Sequence, residues 1–328
     1  MSTGRTTLPQ LYYQGNELDM SEGMLGELRV STEVLGDRAE LHRRMAADGY
    51  LYLPGYLNRE SVEAGRDALL RKLSGEGALD ERYEVAMGVA KSGKSLNFEP
   101  DLAQDNLQLD KVLYSGEMME FYDFFLGGKA THFDYTWFRA KSPGADTATT
   151  PHCDIVYMGR GTHDLYTSWV PFSDIPYKMG GLMLLEGSHH NEKLRSGYCK
   201  VDVDAYCENV PEAAEIVARA RAEQREPTAE ERAIVSGAFT GAFTGAYAPD
   251  AIAAQRELRG RWLTAEYQMG DLLVFCMHIM HASSDNQTDL VRLSSDSRYQ
   301  LASEPQDQRW MGEDPPKHGI RAKEGMIC

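Results

Sequence analysis

Residues 270–299, GDLLVFCMHIMHASSDNQTDLVRLSSDSRY, hold the pattern on which the reading of the chain turns. Residues 272–277 are a short apolar run of strand length, His278 and His281 follow, and residues 283–289 form a polar turn before a second strand over 291–299. Side chains alternate along a strand, so Arg292, Ser294, Asp296 and Arg298 share one face and Leu293, Ser295, Ser297 and Tyr299 the other. Outward from there the same texture recurs. Residues 133–139, 154–158, 166–172, 182–185 and 262–267 are β-type runs punctuated by Pro, Gly, Ser and Asp, which predicts a sandwich or jelly roll.

Upstream the pattern is helical. Residues 37–48 carry Leu41 and Met45 four apart and stop at Gly49; residues 50–53 form a strand ended by Pro54-Gly55. Asn58 is placed as the N-cap of a second helix, with Val62, Leu69, Leu70 and Leu73 on one side and an end near Gly75. Residues 201–259 interrupt the strands with two surface helices, over 212–224 and from the capping box of Thr228 and Glu231. The repeat GAFTGAFTGAY, 237–247, reads as a Gly-rich loop whose Phe239, Phe243 and Tyr247 dock on the core or cover a pocket. The expected organisation is a single domain over 1–328: mostly helical support over 1–130, a β core over 131–300 with its insertion at about 201–259, and a tail over 301–328.

Lys and Arg number 34 against 50 Asp and Glu, a net charge of −16 with no basic block, which argues against nucleic acid and anionic membranes as partners. The start, MSTGRTTLPQLYYQG, lacks the apolar run of a secretory leader and no stretch is long enough to span a membrane, so a cytoplasmic location is expected. Cys153, Cys199, Cys207, Cys276 and Cys328 form no CxxC pair, which fits reduced thiols.

Pro151-His152-Cys153-Asp154 carries the first chemical signal. On a strand His152 and Asp154 point one way and Cys153 the other, giving two adjacent ligands for a divalent metal. A 2-His-1-carboxylate set needs a third ligand from a distant strand and leaves open positions on the metal. His281 is taken as that ligand over His278, because Ser283 and then Arg292 follow it. The planar fork of Arg292 suits a dicarboxylate. Asp296 and Arg298 are read as an internal ion pair, Arg139 as a solvated strand end or a second anion contact, and Asn286 as a turn residue or an organiser of the loop after His281.

As a set, His152-x-Asp154, Trp169 in Trp169-Val170-Pro171-Phe172, Gly180-Gly181 leading to Glu186-Gly187-Ser188-His189, Gly270-Asp271, and His281-x-Ser283 with Arg292 resemble the phytanoyl-CoA dioxygenase family of Fe(II)/2-oxoglutarate-dependent oxygenases, over residues 50–299. The resemblance implies a mainly β fold with packed helices: a double-stranded β-helix, or cupin-like jelly roll, with a helical N-terminal region and a helical insertion. It implies that His152, Asp154 and His281 hold Fe(II), that Arg292 and Ser283 bind the distal carboxylate of 2-oxoglutarate, and that Trp169 and Tyr135 line that pocket. No catalytic residue beyond the ligands is assigned. With O2 as the other co-substrate, the implied reaction hydroxylates an unactivated C–H bond of a small molecule while 2-oxoglutarate becomes succinate and CO2. The carboxylate of Asp154 counts against halogenation, since a halide finds no vacant ligand position. A non-oxidative, metal-dependent cupin-like isomerase or lyase is the competing reading, yet it would have no use for Arg292 and Ser283 beside the metal. A binding protein of the same fold usually lacks a ligand. The sequence sets neither the substrate nor the oligomeric state.

Overall fold

Alternation along the central strands decides what lies inside in the computed structural model, which describes residues 8–21, 23–145, 147–240 and 245–328. In chain order the strands are β1 (Tyr12–Tyr13), β2 (Asn16–Glu17), β3 (Leu25–Glu27), β4 (Tyr50–Leu53), β5 (Ala130–His132), β6 (Trp137–Lys141), β7 (Tyr166–Pro171), β8 (Leu182–Leu185), β9 (Ala205–Cys207), β10 (Trp262–Thr264), β11 (Leu272–Cys276), β12 (His281–Ser283), β13 (Arg292–Leu301) and β14 (Glu324–Met326). The helices are α1 (Arg38–Asp48), α2 (Arg59–Gly75), α3 (Leu107–Tyr114), α4 (Gly116–Leu126), α5 (Ile155–Met158), α6 (Glu192–Ser196), α7 (Pro211–Ala222), α8 (Ala229–Thr240) and α9 (Ala251–Leu258).

One sheet runs β4-β11-β7-β13-β5 with β6 also on β13, and a smaller one runs β12-β8-β10-β3. Leu51, Leu53, Val170, Leu272, Val274, Leu293 and Tyr299 point outward into a core shared with α1 to α4. Their neighbours Tyr50, Tyr52, Trp169, Leu273 and Phe275 point inward and meet Leu182, Leu184 and Leu263 of the smaller sheet. Both faces of the larger sheet are therefore covered, which is why β4 and β11 are continuous apolar runs, whereas the inward face of β13 carries the polar residues of the site. This is the expected double-stranded β-helix with helices on one side.

The first helices fall where the sequence places them. Asp37 caps α1 through Glu40 N, and Gly49 closes it at φ +80°, a left-handed turn that favours glycine. Asn58 caps α2 through Ser61 N, and Thr228 and Glu231 exchange reciprocal cap bonds at the start of α8.

Four expectations need correction. Residues 154–158 are a helical turn: the Asp154 carbonyl accepts from the N–H groups of Tyr157 and Met158, and Ile155, Val156 and Met158 are buried, so packing overrides β propensity. Residues 12–13, 16–17 and 25–27 form short strands within the region expected to be mostly helical, because β3 pairs in parallel with β10 and the β1–β2 turn gives two N–H groups to the Asp285 carboxylate. The repeat begins inside α8, which runs to Thr240; Tyr247 docks against Tyr198, while Phe243 and the side chain of Phe239 lie outside the described residues. Cys207 and Cys328 are joined as a disulfide, brought together by the parallel pairing of β9 with β14 across 121 residues. Among the described residues no helix is long and apolar enough to cross a membrane.

Candidate metal centre

A backbone pairing builds the site. His152 and His281 exchange both N–H to carbonyl bonds, at 3.0 and 2.9 Å, which sets their rings side by side with centroids 4.1 Å apart. Each imidazole Nδ1 lies against a carbonyl two residues upstream, Thr150 at 2.7 Å and Ile279 at 3.1 Å. A carbonyl only accepts, so Nδ1 carries the proton and the Nε2 lone pair is free in both rings. Those two Nε2 atoms face one oxygen, Asp154 Oδ1, at 3.8 and 3.6 Å. The second carboxylate oxygen is taken: Thr167 Oγ1 donates to Oδ2 at 2.5 Å and Arg298 Nη2 at 2.9 Å. The three donor atoms lie within 4.8 Å of one another and could hold a metal ion.

The electrostatics hold this set in its ligating forms. Burial, then the neighbouring His281, push the His152 imidazole down to about 3, and burial lowers His281 too, so both are neutral. Burial opposes ionisation of Asp154, but Arg298, the two imidazoles and the Thr167 hydroxyl outweigh it and keep the carboxyl below its usual range.

Beside the donors is a small cavity lined by Arg292, Ser283, Trp169, Thr149 and Leu182. Arg292 is 1% exposed and has no carboxylate partner among the described residues. Its Nη1 donates to the Gly180 carbonyl at 2.7 Å, its Nη2 donates to Ser294 Oγ, its Nε has no partner, and its guanidinium lies 5.6 Å from the Trp169 ring. Burial, then the charge of Arg139, lower it to about 9. Gly180 explains the Gly180-Gly181 signal: at φ +80° a Cβ there would sit 2.6 Å from the Ser284 carbonyl, so only glycine lets its own carbonyl reach Arg292.

Sequence reasoning missed Lys141. Its Nζ, at the buried end of β6, donates to Ser283 Oγ at 2.7 Å and Thr149 Oγ1 at 2.6 Å. Ser283 Oγ also accepts from Thr149 N at 2.8 Å, which leaves its own proton for a third partner. Burial, then Arg292, hold the Lys141 ammonium well below its usual range. The Trp137, Arg139, Lys141 alternation was the available signal, since it repeats the inward face of β13.

Other expected contacts change. Tyr135 does not reach this cavity: it lies in the bend before β6, edge-on to Trp137 and near Trp310, and lines a separate hollow with Lys317. The Asp296–Arg298 pair is not formed; Arg298 serves Asp154, and Asp296 takes Arg139 Nε at 3.4 Å. Arg139 is thus no solvated strand end. His278 stands away from the donors, against His163. Cys153 is buried in the apolar core and bonds the His278 carbonyl. Asn286 orders its loop, with Nδ2 on the Lys141 and Leu290 carbonyls.

Fold and site together define a double-stranded β-helix with a buried His-Asp-His cluster. The family model for phytanoyl-CoA dioxygenase (PhyH) matches residues 45–294, and the chain belongs to that family. Two curated proteins named 1-deoxypentalenic acid 11-beta-hydroxylase are similar. The one from Streptomyces exfoliatus is 26% identical over 163 residues, 48% of this chain, and that from Streptomyces arenae 26% over 172. The chain spans 56% of the length of each. Among solved structures, EctD from S. alaskensis with 2-oxoglutarate and 5-hydroxyectoine superposes with a TM-score of 0.53 at 14% identity, covering 100% of this chain and 98% of that one. The α-ketoglutarate-dependent epimerase SnoN from nogalamycin biosynthesis gives 0.51 at 18%, covering 85% and 92%. These likenesses concern the fold.

Proposed function

We propose that this protein is an Fe(II)/2-oxoglutarate-dependent oxygenase that hydroxylates an unactivated C–H bond of a small molecule, with 2-oxoglutarate leaving as succinate and CO2. The observation that carries the reading is a buried guanidinium that makes no ion pair among the described residues, beside a preset His-Asp-His cluster. Two neutral imidazoles and one carboxylate suit a borderline divalent ion such as Fe(II) and leave part of its coordination sphere open. When bound, iron with 2-oxoglutarate and O2 supplies the oxidant that removes a hydrogen atom and returns hydroxyl.

The chain's own residues do the rest. His152 and His281 present Nε2 because their Nδ1 protons are tied to backbone carbonyls. Arg298 and Thr167 occupy Asp154 Oδ2, so Oδ1 alone is offered. Arg292 receives the distal carboxylate, Lys141 and Thr149 fix the Ser283 hydroxyl beside it, and Trp169 walls the pocket against water. A non-oxidative isomerase or lyase leaves the buried Arg292 without a role.

Arg292→Ala should raise the 2-oxoglutarate concentration for half-maximal succinate formation by about 30- to 100-fold, the cost of losing a buried charge-assisted pair. Arg292→Lys should recover part of it. An unchanged requirement in the alanine variant removes Arg292 from co-substrate binding and the reading with it.

A further inference from the structure

The disulfide between Cys207 and Cys328 joins a buried sulfur to an exposed one. Cys207 sits on β9 and is 3% exposed, whereas Cys328, two residues past β14, is exposed. Little else fastens that segment. β14 pairs with β9 over three residues, and all three of its own residues are exposed. Glu208 N donates to the Met326 carbonyl and Asn209 Nδ2 to the Cys328 carbonyl, both at 2.9 Å. Residues 322–324 are held separately, through Arg160 on the Ala322 carbonyl and Glu324 and through Lys323 on Asp204. A two-stranded pairing this short is marginal alone, so the sulfur–sulfur bond is the main hold on residues 325–328.

The strand it fastens adjoins the metal donors. The insertion is stitched at both ends to the segment that carries two of them: Val203 N donates to the Val156 carbonyl at 3.1 Å and Tyr247 N to the Pro151 carbonyl at 2.8 Å, on either side of His152 and Asp154. β9 starts two residues after Val203, and β14 is its one strand partner among the described residues. α7 and α8 rest on β9 through the small core of Tyr206, Ala213, Ile216, Val217 and Val235, which is separate from the cores of the barrel.

We propose that Cys328 is a site of reversible thiol modification and that its bond to Cys207 is a redox clasp on the wall of the metal centre, opened by small thiols of the glutathione class. Exposed disulfides are the labile ones, and exchange requires access to the sulfur under attack, which here is Cys328 Sγ. A thiolate bonds to that sulfur, the bond to Cys207 breaks, and Cys207 leaves with the electron pair and takes up a proton. The product is a mixed disulfide at Cys328. A second small thiolate attacks the small-molecule sulfur of that mixed disulfide and releases the Cys328 thiol, so two small thiols are oxidised to their disulfide as the protein bond is reduced to two thiols. The small disulfide closes the clasp by the same steps reversed. In the open state β9 loses its strand partner, and the stitched segment 151–156 loses a stiff neighbour.

The test uses the full chain in native buffer, without added metal. Oxidised protein is treated with millimolar glutathione, then with an alkylating agent, and mapped by peptide mass spectrometry. A glutathione adduct should appear at Cys328 and the alkyl group at Cys207, with Cys153 and Cys199, both buried, unlabelled. Hydrogen exchange then compares the closed and opened forms. Peptides covering residues 203–222 and Tyr247 should exchange faster by about tenfold or more on opening, while those of β7, β11 and β13 keep their rates. Cys328→Ser should show the open pattern at once and ignore glutathione. An adduct at Cys207 instead, no adduct at either cysteine, or free thiols at both that glutathione disulfide does not join overturns the proposal. So does an opened bond that leaves the Tyr247 peptide unchanged, or one that speeds β11 and β13 equally, which is general destabilisation rather than a clasp.

Discussion

Arg298 leaves Asp154 one free oxygen. Its guanidinium lies over the Trp137 ring at 4.2 Å and donates to Oδ2, which Thr167 also holds, so the carboxylate can approach an ion through Oδ1 alone. Partners behind a metal ligand typically contribute 10- to 100-fold in affinity. Arg298→Gln should therefore weaken Co(II) or Fe(II) binding by about that factor, with partial recovery in Arg298→Lys and a smaller loss in Thr167→Val, measured by competition with a chromophoric chelator. Unchanged affinity in the glutamine variant removes Arg298 from this role. At this scale the sequence showed the donors well, because His152-x-Asp154 and His281-x-Ser283 with Arg292 are spacings that chemistry constrains. It hid the partners. Alternation put Asp296 and Arg298 on one face correctly, yet inside a closed barrel each inward charge pairs across to another strand or loop, which spacing along one strand cannot reveal. Lys141 was hidden for a similar reason: a lysine before Ser142-Pro143-Gly144 looks like a solvated strand end until the barrel closes over it.

The insertion and the C-terminal segment fold against each other as elements. Tyr206, Ala213, Ile216, Val217 and Val235 of β9, α7 and α8 form a small separate core with Ile320 packed on it. Beneath it lies a buried charge network: Arg309 pairs with Asp202, Asp204 and Asp307 at 3.1, 2.7 and 2.6 Å, and His318 and Lys323 also reach Asp204. Burial works against ionised Asp204, but His318 and Lys323 outweigh it and hold the carboxyl below its usual range. A depressed carboxyl stabilises the fold above its unfolded value, near 4, and that contribution is lost as pH falls through the folded value. Asp204→Asn should cost about 3–5 kcal/mol near neutrality, and the gap in melting temperature between the two proteins should narrow as pH falls below about 4. A gap independent of pH contradicts the assignment. The segment bears on the site as well: His318 and Trp310 pack together, Tyr157 stands between His318 and His152, and Tyr247 N donates to the Pro151 carbonyl. The helices of the insertion were legible from caps and periodicity. Their docking was not, because the 207–328 disulfide and the Arg309 network join residues about a hundred positions apart, and no local pattern marks either.

Over the whole molecule the net charge is −16, yet the strands around the His-Asp-His cluster bring Arg139, Arg292 and Arg298 beside Asp154 and Asp296. Composition argued against polyanion partners but said nothing of that arrangement, since 34 basic residues are indistinguishable until the strands assign them a side. The fold itself was legible because short apolar strands at turn-spaced intervals have few ways to cover both faces. What the strands enclose, a preset His-Asp-His cluster beside an arginine that makes no ion pair among the described residues, is the central claim, and one titration tests it most directly. Fe(II) and 2-oxoglutarate are added anaerobically and visible absorption is followed in the wild type, His281→Ala and Arg292→Ala. The account predicts a weak charge-transfer band that needs both components, is absent in His281→Ala, and requires more 2-oxoglutarate in Arg292→Ala. Metal binding with no band that depends on 2-oxoglutarate, or no metal binding in the wild type, contradicts it.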